Sequence, residues 1–532
     1  MKRLCLLLLL LPTLCACQWM KEDFDDEMAN ATRYINITIS VSADHNSATR
    51  APLGGEYGDG DELGIDTREN YVEKITLIFY QDNTGINTSD NNAEVSFVKT
   101  YSVQRVDDYP YSHTHIHTTP EPTGYADKEI IYTTGDQKLE ETLLVAGETY
   151  KVLVVANADV NVKAGDKIKD VRDLTFDKIY EGTGLGIDAS KFVMTSEGDA
   201  TITLTNPWVE EDENKVVFYS DCIHIERLAA RIDYCTKGST YRDDYGGYVY
   251  VAKEHPNGKK DLRVVTKVTP FNLYSEPEYM FKQVCNAWTV NQNSITPSNL
   301  TFLGDETLVN NMASNYVVDP YTVQKTPIQN GPGPNDVTYN AEVLYENRLI
   351  DMIPANPGPG NPANPGDDTN PYAQVMADVH STYITDHQGY KNIIIAYPRE
   401  NTLLPQSRFK WYATGIVFEV VSYNQVNCDS NGDPVSPGNG NNPHDTKKYY
   451  HYLRHQGEQL PANQHSFKAE ELKKDKVDRD NATCDNVPMR CGIVRNNIYR
   501  ISITGFSEEE GTIMLSIEEE KWRHVDNPPV FI

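Results

Sequence analysis

Three alternating histidines are the first residues in this sequence whose type and spacing could do chemistry. His113, His115 and His117 lie two positions apart, so on a β-strand their imidazoles would share one face. Imidazole nitrogens are common ligands of transition metals. No carboxylate or cysteine at a useful spacing completes the set, so we predict no metal site in this stretch.

The motifs of the common catalytic sites are missing. The sequence has no G-x-S-x-G, no H-E-x-x-H and no P-loop. The glycines Gly182, Gly184 and Gly186 lack the strand-to-helix setting of a dinucleotide-binding loop and are typical of a turn. We therefore predict that the protein is not an enzyme and needs no cofactor.

The N-terminus indicates the acylation of a cysteine. A positively charged start precedes the apolar run Leu4–Leu11, which is too short to span a bilayer. The sequence Leu14-Cys15-Ala16-Cys17 then fits a bacterial lipobox, which is cut before the cysteine that takes the lipid. We predict a lipoprotein signal peptide over residues 1–17, with Cys17 acylated by chains such as palmitate. A plain secretory signal is the alternative.

An alternating segment follows and predicts a β-strand with one buried face. Its aliphatic residues occur at every second position: Ile35, Ile37, Ile39 and Val41. The residues between them are polar, which is the period-2 pattern of a half-buried strand.

The stretch after this strand predicts a site of proteolysis. Residues 44–49 are polar and unpatterned, and Pro52 with Gly54 forbids regular structure beyond them. Arg50 therefore lies in an exposed tether, where proteases cut most readily. By itself, the pattern fits an ordinary first strand and loop equally well.

Short alternating runs continue along the chain and predict an all-β fold. The main ones are Glu73–Tyr80, Val95–Val103, Ile130–Thr134, Thr149–Ala156, Ala200–Asn206, Lys215–Ser220, Tyr248–Ala252, Leu262–Val268, Asn392–Tyr397, Trp411–Val421 and Ile498–Thr504. One segment, Val171–Tyr180, has helical spacing instead. Long loops rich in Pro, Gly and Asn separate some runs, at Gln329–Asp336, Pro354–Pro371 and Asp429–Asp445.

A second structural unit is predicted to begin at Cys222. The sequence CIHIERLAARIDY is apolar at alternate positions, and its double alanine predicts a β-bulge. We therefore expect two consecutive β-sandwich domains, over residues 51–221 and 222–532, with few short helices.

The C-terminus predicts another strand with one apolar face. Ile513, Leu515 and Ile517 alternate, and further apolar residues follow to the end of the chain, at Trp522, Val525, Val530 and Ile532. The prolines Pro528 and Pro529 interrupt this last part, because proline cannot donate to a β-ladder. Such a strand either closes the edge of its own domain or pairs with another molecule.

Six cysteines remain once Cys5 and Cys15 leave with the signal and Cys17 takes lipid. An even number in an oxidising compartment permits disulfides, with several pairings open. Cys484 and Cys491 flank a short turn-like segment and are the first candidate pair. The sequence has no C-x-x-C, which argues against a zinc site.

The composition limits the partners. The chain has 532 residues and a net charge of -29, which argues against nucleic acid and anionic membrane surfaces. Tyrosine, with 33 residues, far exceeds the 5 Trp and 14 Phe, and this suits β-sheets and exposed contact surfaces.

Several of these segments resemble those of the fimbrillins, the subunits of the type V pili of Bacteroidota, and most of all the minor-fimbrium shaft subunit. The segments that carry the resemblance are the lipobox at Cys17, RYINITISVS, SATRAP, KVLVVANAD, IHIERLAARIDY and VRNNIYRISI. They keep the order of the family across nearly the whole chain.

The resemblance implies two transthyretin-like β-sandwich domains in a lipoprotein precursor at the cell outer membrane. An extracellular arginine-specific protease would cut between Arg50 and Ala51 and release the propeptide, residues 18–50, with its removable first strand. A donor strand from the segment Ile513–Ile532 of another copy, or of a related fimbrial subunit, would fill the empty groove. The product would be an extracellular adhesive fimbrium that binds host or bacterial receptors, with the membrane contacted only through the lipid of the precursor.

Two other functions fit the same features. A tip or accessory subunit would share the architecture, and the interrupted C-terminus points toward it. A surface glycan-binding lipoprotein would use exposed aromatic residues such as Trp288, Trp411 and Tyr412.

Overall fold

The computed structural model describes residues 31–41, 69–81, 92–106, 131–182, 189–196, 198–205, 208–210, 215–271, 273–274, 276–285, 287–291, 294–298, 301–302, 316–318, 328–329, 337–338, 349–350, 383–385, 391–401, 414–438, 441–453, 466–468, 493–507 and 512–521. Nearly all of its regular structure is β.

The strands up to Arg227 are β1 (Thr32–Asn36), β2 (Thr38–Ser40), β3 (Lys74–Tyr80), β4 (Val95–Ser102), β5 (Gln104–Val106), β6 (Ile131–Thr133), β7 (Gln137–Lys138), β8 (Thr149–Ala156), β9 (Thr175–Phe176), β10 (Met194–Ser196), β11 (Ala200–Thr203), β12 (Trp208–Glu210), β13 (Lys215–Tyr219) and β14 (Ile223–Arg227). The helices with described bounds are short: α1 (Ile168–Arg172) and a 3₁₀ helix, Leu139–Glu141.

The later strands are β15 (Arg231–Cys235), β16 (Thr240–Arg242), β17 (Gly247–Glu254), β18 (Lys260–Phe271), β19 (Leu273–Tyr274), β20 (Glu278–Tyr279), β21 (Gln283–Cys285), β22 (Ala287–Asn291), β23 (Ser294–Ser298), β24 (Thr301–Phe302), β25 (Tyr316–Val318), β26 (Ile328–Gln329), β27 (Val337–Thr338), β28 (Leu349–Ile350), β29 (Tyr383–Thr385), β30 (Lys391–Ala396), β31 (Gly415–Val426), β32 (Asp445–Tyr452), β33 (Ser466–Lys468), β34 (Asn497–Ser507) and β35 (Thr512–Lys521).

Two sheets form the first sandwich. A four-stranded sheet has the order β12-β13-β1-β7, and a nine-stranded sheet has the order β4-β3-β8-β10-β14-β2-β6-β5 with β11 beside β8. Side chains from both sheets share one hydrophobic core, with Ile35 and Phe218 from the smaller sheet and Leu77 and Val154 from the larger one.

A second pair of sheets forms the other sandwich. Its five-stranded sheet has the order β29-β30-β15-β34-β35, and its six-stranded sheet has the order β16-β17-β18-β31-β32-β33. Ile393 and Ile501 from the first of these pack in one core with Val265 and Phe418 from the second. The predicted all-β sandwich fold is thus confirmed, while the domain boundaries at residues 51, 221 and 222 stay a prediction.

The double alanine is not a β-bulge, and that prediction was wrong. β14 pairs with β10 in the first sandwich, whereas β15 pairs with β30 and β34 in the second, so the chain changes sandwich between them. Ala229 packs in the first core and Ala230 in the second. Both are fully buried, which indicates that this crossing has room only for small side chains.

The predicted helix over Val171–Tyr180 was also wrong for most of its length. α1 ends at Arg172, and Thr175 and Phe176 then form β9, which pairs with β20. Pairing with a distant strand therefore overrides the local helical spacing.

A buried cluster of charges lies beside this pairing. Arg495 donates through Nη2 to Glu400 Oε2 at 2.6 Å, and the Glu400 N–H donates to Glu278 Oε2 at 3.1 Å. Both carboxylates and the guanidinium are at most 1% exposed. Burial raises the pKa of Glu278 to about 8, Arg495 opposes the shift, and the charge of Glu400 adds to it.

We predict that Glu278 makes the protein less stable as the pH rises. Its ordinary pKa is 4.5, so between about 4.5 and 8 the unfolded chain loses a proton that the folded chain keeps. The free energy of unfolding falls over that range, and Glu278→Gln removes this fall. Relative to wild type, the variant therefore gains stability between pH 5 and pH 8 in urea denaturation. Glu140→Gln, at an exposed carboxylate, is the control; a variant that tracks wild type at both pH values would contradict the prediction.

Candidate functional site

The first strand pair lies inside the first sandwich, with a neighbour on each side. β1 runs parallel to β13, with Ile35 opposite Phe218, and antiparallel to β7. β2 runs parallel to β14, with Ile39 opposite Ile223, and antiparallel to β6. The segment from Thr32 to Ser40 therefore contributes one inner strand to each of the two sheets.

Side chains bridge the point where the segment changes sheet. The N–H of Ile37 donates to Thr134 Oγ1 at 3.1 Å, and the N–H of Thr134 donates to the Ile37 carbonyl at 3.0 Å. The N–H of Thr38 donates to Ser220 Oγ at 3.0 Å. The main-chain polar groups at the change of sheet are thus satisfied without a regular ladder.

The predicted alternation holds for the apolar residues of this segment but not for the polar ones. Ile35, Ile37, Ile39 and Val41 are all 0% exposed, as expected. Thr38 and Ser40 are also buried. Its second half has no exposed face.

The four aliphatic side chains contribute a large part of the stability of the sandwich. Burying them is worth roughly 6–12 kcal/mol as an upper figure. The whole free energy of unfolding of a domain is about 5–15 kcal/mol. A sandwich that lost this segment would be unstable unless another segment replaced it.

The strands beside the segment are held largely by other contacts. β13 also pairs with β12, β14 with β10, and β6 with β5. Among the described strands, β7 is the one of the four neighbours that ends its sheet. The groove around the segment therefore has three walls that do not depend on the segment itself.

A hydrogen bond, an ion pair and a cation–ring contact lie on the β7 side of the groove. Asn36 Nδ2 donates to Asp136 Oδ1 at 2.9 Å, and Lys215 Nζ lies 2.5 Å from Asp136 Oδ2. The same ammonium lies 5.5 Å from the centre of the Tyr34 ring. These contacts fix the register of β1 against its neighbours.

A buried network holds Glu69, the first described residue after Val41. Arg231 Nη1 donates to Glu69 Oε2 at 3.0 Å, and Arg227 Nε donates to the Glu69 carbonyl at 3.0 Å. The hydroxyl of Tyr397 also bonds Glu69 Oε1, and Asp233 Oδ2 accepts from Arg231 Nη2 at 2.7 Å. All five residues are at most 2% exposed.

The surroundings of the two arginines give them different pKa values. Burial lowers the pKa of Arg227 to about 10, with the charge of Glu69 opposing the shift. Burial also acts to lower the pKa of Arg231, but the Asp233 and Glu69 carboxylates raise it above the usual value. Arg231 is therefore paired most strongly with Asp233, and its charge also holds Glu69.

The anchor reaches the wall of the groove through Asn70. Arg227 Nη2 bonds Asn70 Oδ1, and the hydroxyl of Tyr132 donates to the Asn70 carbonyl at 2.8 Å. Tyr132 lies in β6, directly opposite Ile39 of β2. The chain that follows the predicted cut is therefore attached to a wall of the groove.

The C-terminal strand β35 forms the edge of its own five-stranded sheet. It pairs antiparallel with β34, with Ile501 opposite Ile517 and Phe506 opposite Ile513. Ile513 is fully buried and Leu515 packs against the same core. Ile513 and Leu515, at the start of the predicted donor, are therefore already packed in the core of their own copy.

The remaining predicted site residues lie outside the described part of the chain. They are Cys17, Arg50, Ala51, His113, His115, His117, Cys484, Cys491, Trp522, Val525, Val530 and Ile532. In the described ranges, no group of three or more His, Cys, Asp or Glu side chains is placed to hold a metal ion. No helix in those ranges is long and apolar enough to cross a membrane.

Sequence reasoning missed the anchor at Glu69. One signal was available, because IHIERLAARIDY places two arginines and an aspartate inside an apolar run. Charges in such a run indicate buried ion pairs. Their partner Glu69 is too distant in sequence to be inferred from spacing.

We predict that Tyr132→Phe destabilises the protein. The change removes the donor to the Asn70 carbonyl inside the core, which costs about 1–3 kcal/mol. Urea denaturation measures the free energy of unfolding. Tyr101→Phe is the matched control, because burial raises the pKa of Tyr101 to about 12 and its hydroxyl bonds no described residue. Equal effects of the two substitutions would contradict the role of the Tyr132 contact.

Comparisons with known proteins find distant similarities among solved structures. No protein-family model matches the sequence, and no curated protein matches it. The chain is similar to a cell adhesion protein of Parabacteroides distasonis, with 11% identity, coverage of 92% of this chain and 100% of that one, and a TM-score of 0.36. It is similar to a fimbrilin of Porphyromonas gingivalis, with 14% identity, coverage of 93% and 99%, and a TM-score of 0.32. A C-terminally truncated tip fimbrial protein of the same species is similar at 9% identity, with coverage of 92% and 100% and a TM-score of 0.30.

Proposed function

We propose that the protein is a structural subunit of an adhesive fimbrium, matured by cleavage between Arg50 and Ala51 and polymerised by donor-strand exchange. The observation that carries the proposal is the position of β1 and β2. They fill the interior of both sheets of one sandwich, yet the predicted cleavage site lies between them and the rest of that sandwich.

The chain on either side of the cleavage site is held differently. Upstream, Val41 is buried at the end of the removable segment. Downstream, Arg227 and Arg231 hold Glu69, and the Tyr132 hydroxyl holds the Asn70 carbonyl. A cut at Arg50 would leave the downstream chain attached while the segment Thr32–Val41 becomes free to leave.

An emptied groove provides the driving force for polymerisation. Without the segment, β13, β14, β6 and β7 would lose the main-chain hydrogen bonds that they now make to it. The core would also lose the aliphatic side chains of the segment. A strand from another copy restores both. Because donor and acceptor surfaces differ, the contact does not close on itself and it builds a filament.

The pairing of β35 with β34 favours a donor strand that lies beyond β35. Ile513 is buried in the core of its own copy, so its donation would first require β35 to leave β34. The segment Trp522–Ile532 follows β35 and carries the apolar residues Trp522, Val525, Val530 and Ile532. We assign the donor role to this segment and a supporting role to Ile513, Leu515 and Ile517.

The other parts of the proposal concern export. Acylation of Cys17 would hold the precursor at the outer membrane, since several acyl chains give lasting anchorage. An extracellular arginine-specific protease would then release the subunit into the growing fimbrium. The similar structures carry fimbrial and cell-adhesion names, but the proposal rests on β1, β2 and their neighbours.

A terminal subunit of the same fimbrium is the second candidate. The pairing of β35 with its own β34 is compatible with it, because the last subunit at one end of a filament accepts a strand and donates none. Deletion of residues 522–532 leaves β35 complete and separates the two roles. A shaft subunit without them forms no filaments, whereas a terminal subunit still caps those of a partner.

We predict that Arg50→Ala blocks maturation. N-terminal sequencing of assembled wild-type material starts at Ala51, and the variant remains an acylated precursor beginning at Cys17. Arg33→Ala, at an exposed arginine of β1, is the control and matures normally. Filaments of wild-type protein that still begin at Cys17 would contradict the proposal.

We also predict that the emptied groove accepts its own segment in trans. A synthetic peptide of residues 31–42, added to cleaved protein from which the propeptide has been removed, raises the Tm of the cleaved protein. A peptide with Ile37→Asp and Ile39→Asp does not, because each carboxylate would be buried without a partner. Equal rises with both peptides would show that the groove is not the binding site.

A further inference from the structure

Two of the most exposed apolar side chains in the described residues share one turn. Leu143 is 75% exposed and Val145 is 57% exposed, whereas the other exposed large hydrophobic residues are between 39% and 47% exposed. The turn comprises residues 142–147 and follows the 3₁₀ helix Leu139–Glu141. Single exposed aliphatic residues are ordinary, but two neighbours at these exposures mark a contact surface.

The backbone of Leu143 gives a second reason to look at this turn. Its φ is 65°, in the left-handed region that glycine and asparagine adopt more easily. A leucine here has backbone strain and gains no burial, so the folding of this chain does not explain it. The turn itself is firmly built: Thr142 Oγ1 donates to the Leu139 carbonyl at 2.7 Å, and the Val145 N–H donates to the Tyr150 hydroxyl at 3.2 Å.

The turn lies at the entrance of the groove that β1 occupies. β7 pairs with β1, with Tyr34 opposite Lys138, and the chain continues from Lys138 straight into the 3₁₀ helix and the turn. The chain after Lys138 therefore runs past the start of β1, and a strand that replaces β1 and extends beyond Thr32 would approach the turn. The chain's own first strand leaves Leu143 and Val145 exposed.

The charges beside the turn indicate what kind of segment would bind there. Glu140 and Glu141 are exposed beside the turn, and neither has an ion-pair partner among the described residues. In the sequence, Lys521 ends β35 and Trp522, Arg523 and His524 follow, so an aromatic ring stands among basic side chains. The full chain carries a net charge of -29, so two copies of so acidic a protein need such local complementarity to associate.

We propose that the turn at residues 142–147 receives the segment Lys521–His524 of a second copy. The apolar side chains of the turn would contact Trp522, and Glu140 and Glu141 would face Lys521 and Arg523. This inference rests on the proposed strand exchange and adds a direction to it. The donor enters at the end of the groove where β1 begins, and so runs parallel to β13.

The first test removes the apolar surface without disturbing the fold. In Leu143→Asn with Val145→Thr, asparagine suits the left-handed backbone and threonine keeps the branched shape of valine. The Tm of the precursor does not fall, cleavage at Arg50 proceeds as in wild type, and the rate of filament growth by light scattering falls about tenfold.

One control accompanies that variant. Val251→Thr makes the same change at an exposed valine of β17 and leaves filament growth unchanged. Wild-type growth by the double variant would overturn the contact while leaving strand exchange intact.

The second test reverses the charges. Glu140→Lys with Glu141→Lys slows growth, and Lys521→Glu with Arg523→Glu on the donor restores it. A failure to restore growth would overturn the pairing. If wild-type protein accepts the first-strand peptide but forms no filaments, the proposed function fails and this surface fails with it.

Discussion

The pairing needs of main-chain polar groups constrain this structure more than any other interaction. Each inner strand of a sheet must hydrogen-bond on both sides, and an unpaired edge in a dry core is costly. The segment Thr32–Val41 meets this need for two sheets at once, because it pairs with β13 and β7 in one and with β14 and β6 in the other. The completeness of the first sandwich therefore depends on its first ten or so residues.

The buried charges are compatible with the proposed removal of this segment. The network around Glu69, Arg227 and Arg231 holds the chain beyond the predicted cleavage site, and Tyr132 connects it to β6. Buried ion pairs contribute little net stability but define a geometry, because breaking one leaves an unpaired charge. β6, one wall of the groove, is therefore held by a contact that does not involve the segment Thr32–Val41.

Much of the fold follows from local pattern. The alternation at Thr149–Ala156 matches β8 residue for residue, and most other predicted strands differ from the observed ones by a few residues at their ends. The failures share one cause. The double alanine predicted a bulge and Val171–Tyr180 predicted a helix, but in both places contacts with distant segments decide the conformation: β9 pairs with β20, and Ala229 and Ala230 pack in different cores.

The sequence by itself determined the class of the fold and the four buried residues Ile35, Ile37, Ile39 and Val41, because period-2 alternation is a local property that reports a strand face. Only the tertiary structure decided that these residues lie between neighbours in two sheets, that Glu69 is held by buried arginines behind the predicted cleavage site, and that β35 is already paired. Each of these depends on residues far apart in the chain, and no local spacing encodes which distant backbone will supply a hydrogen bond.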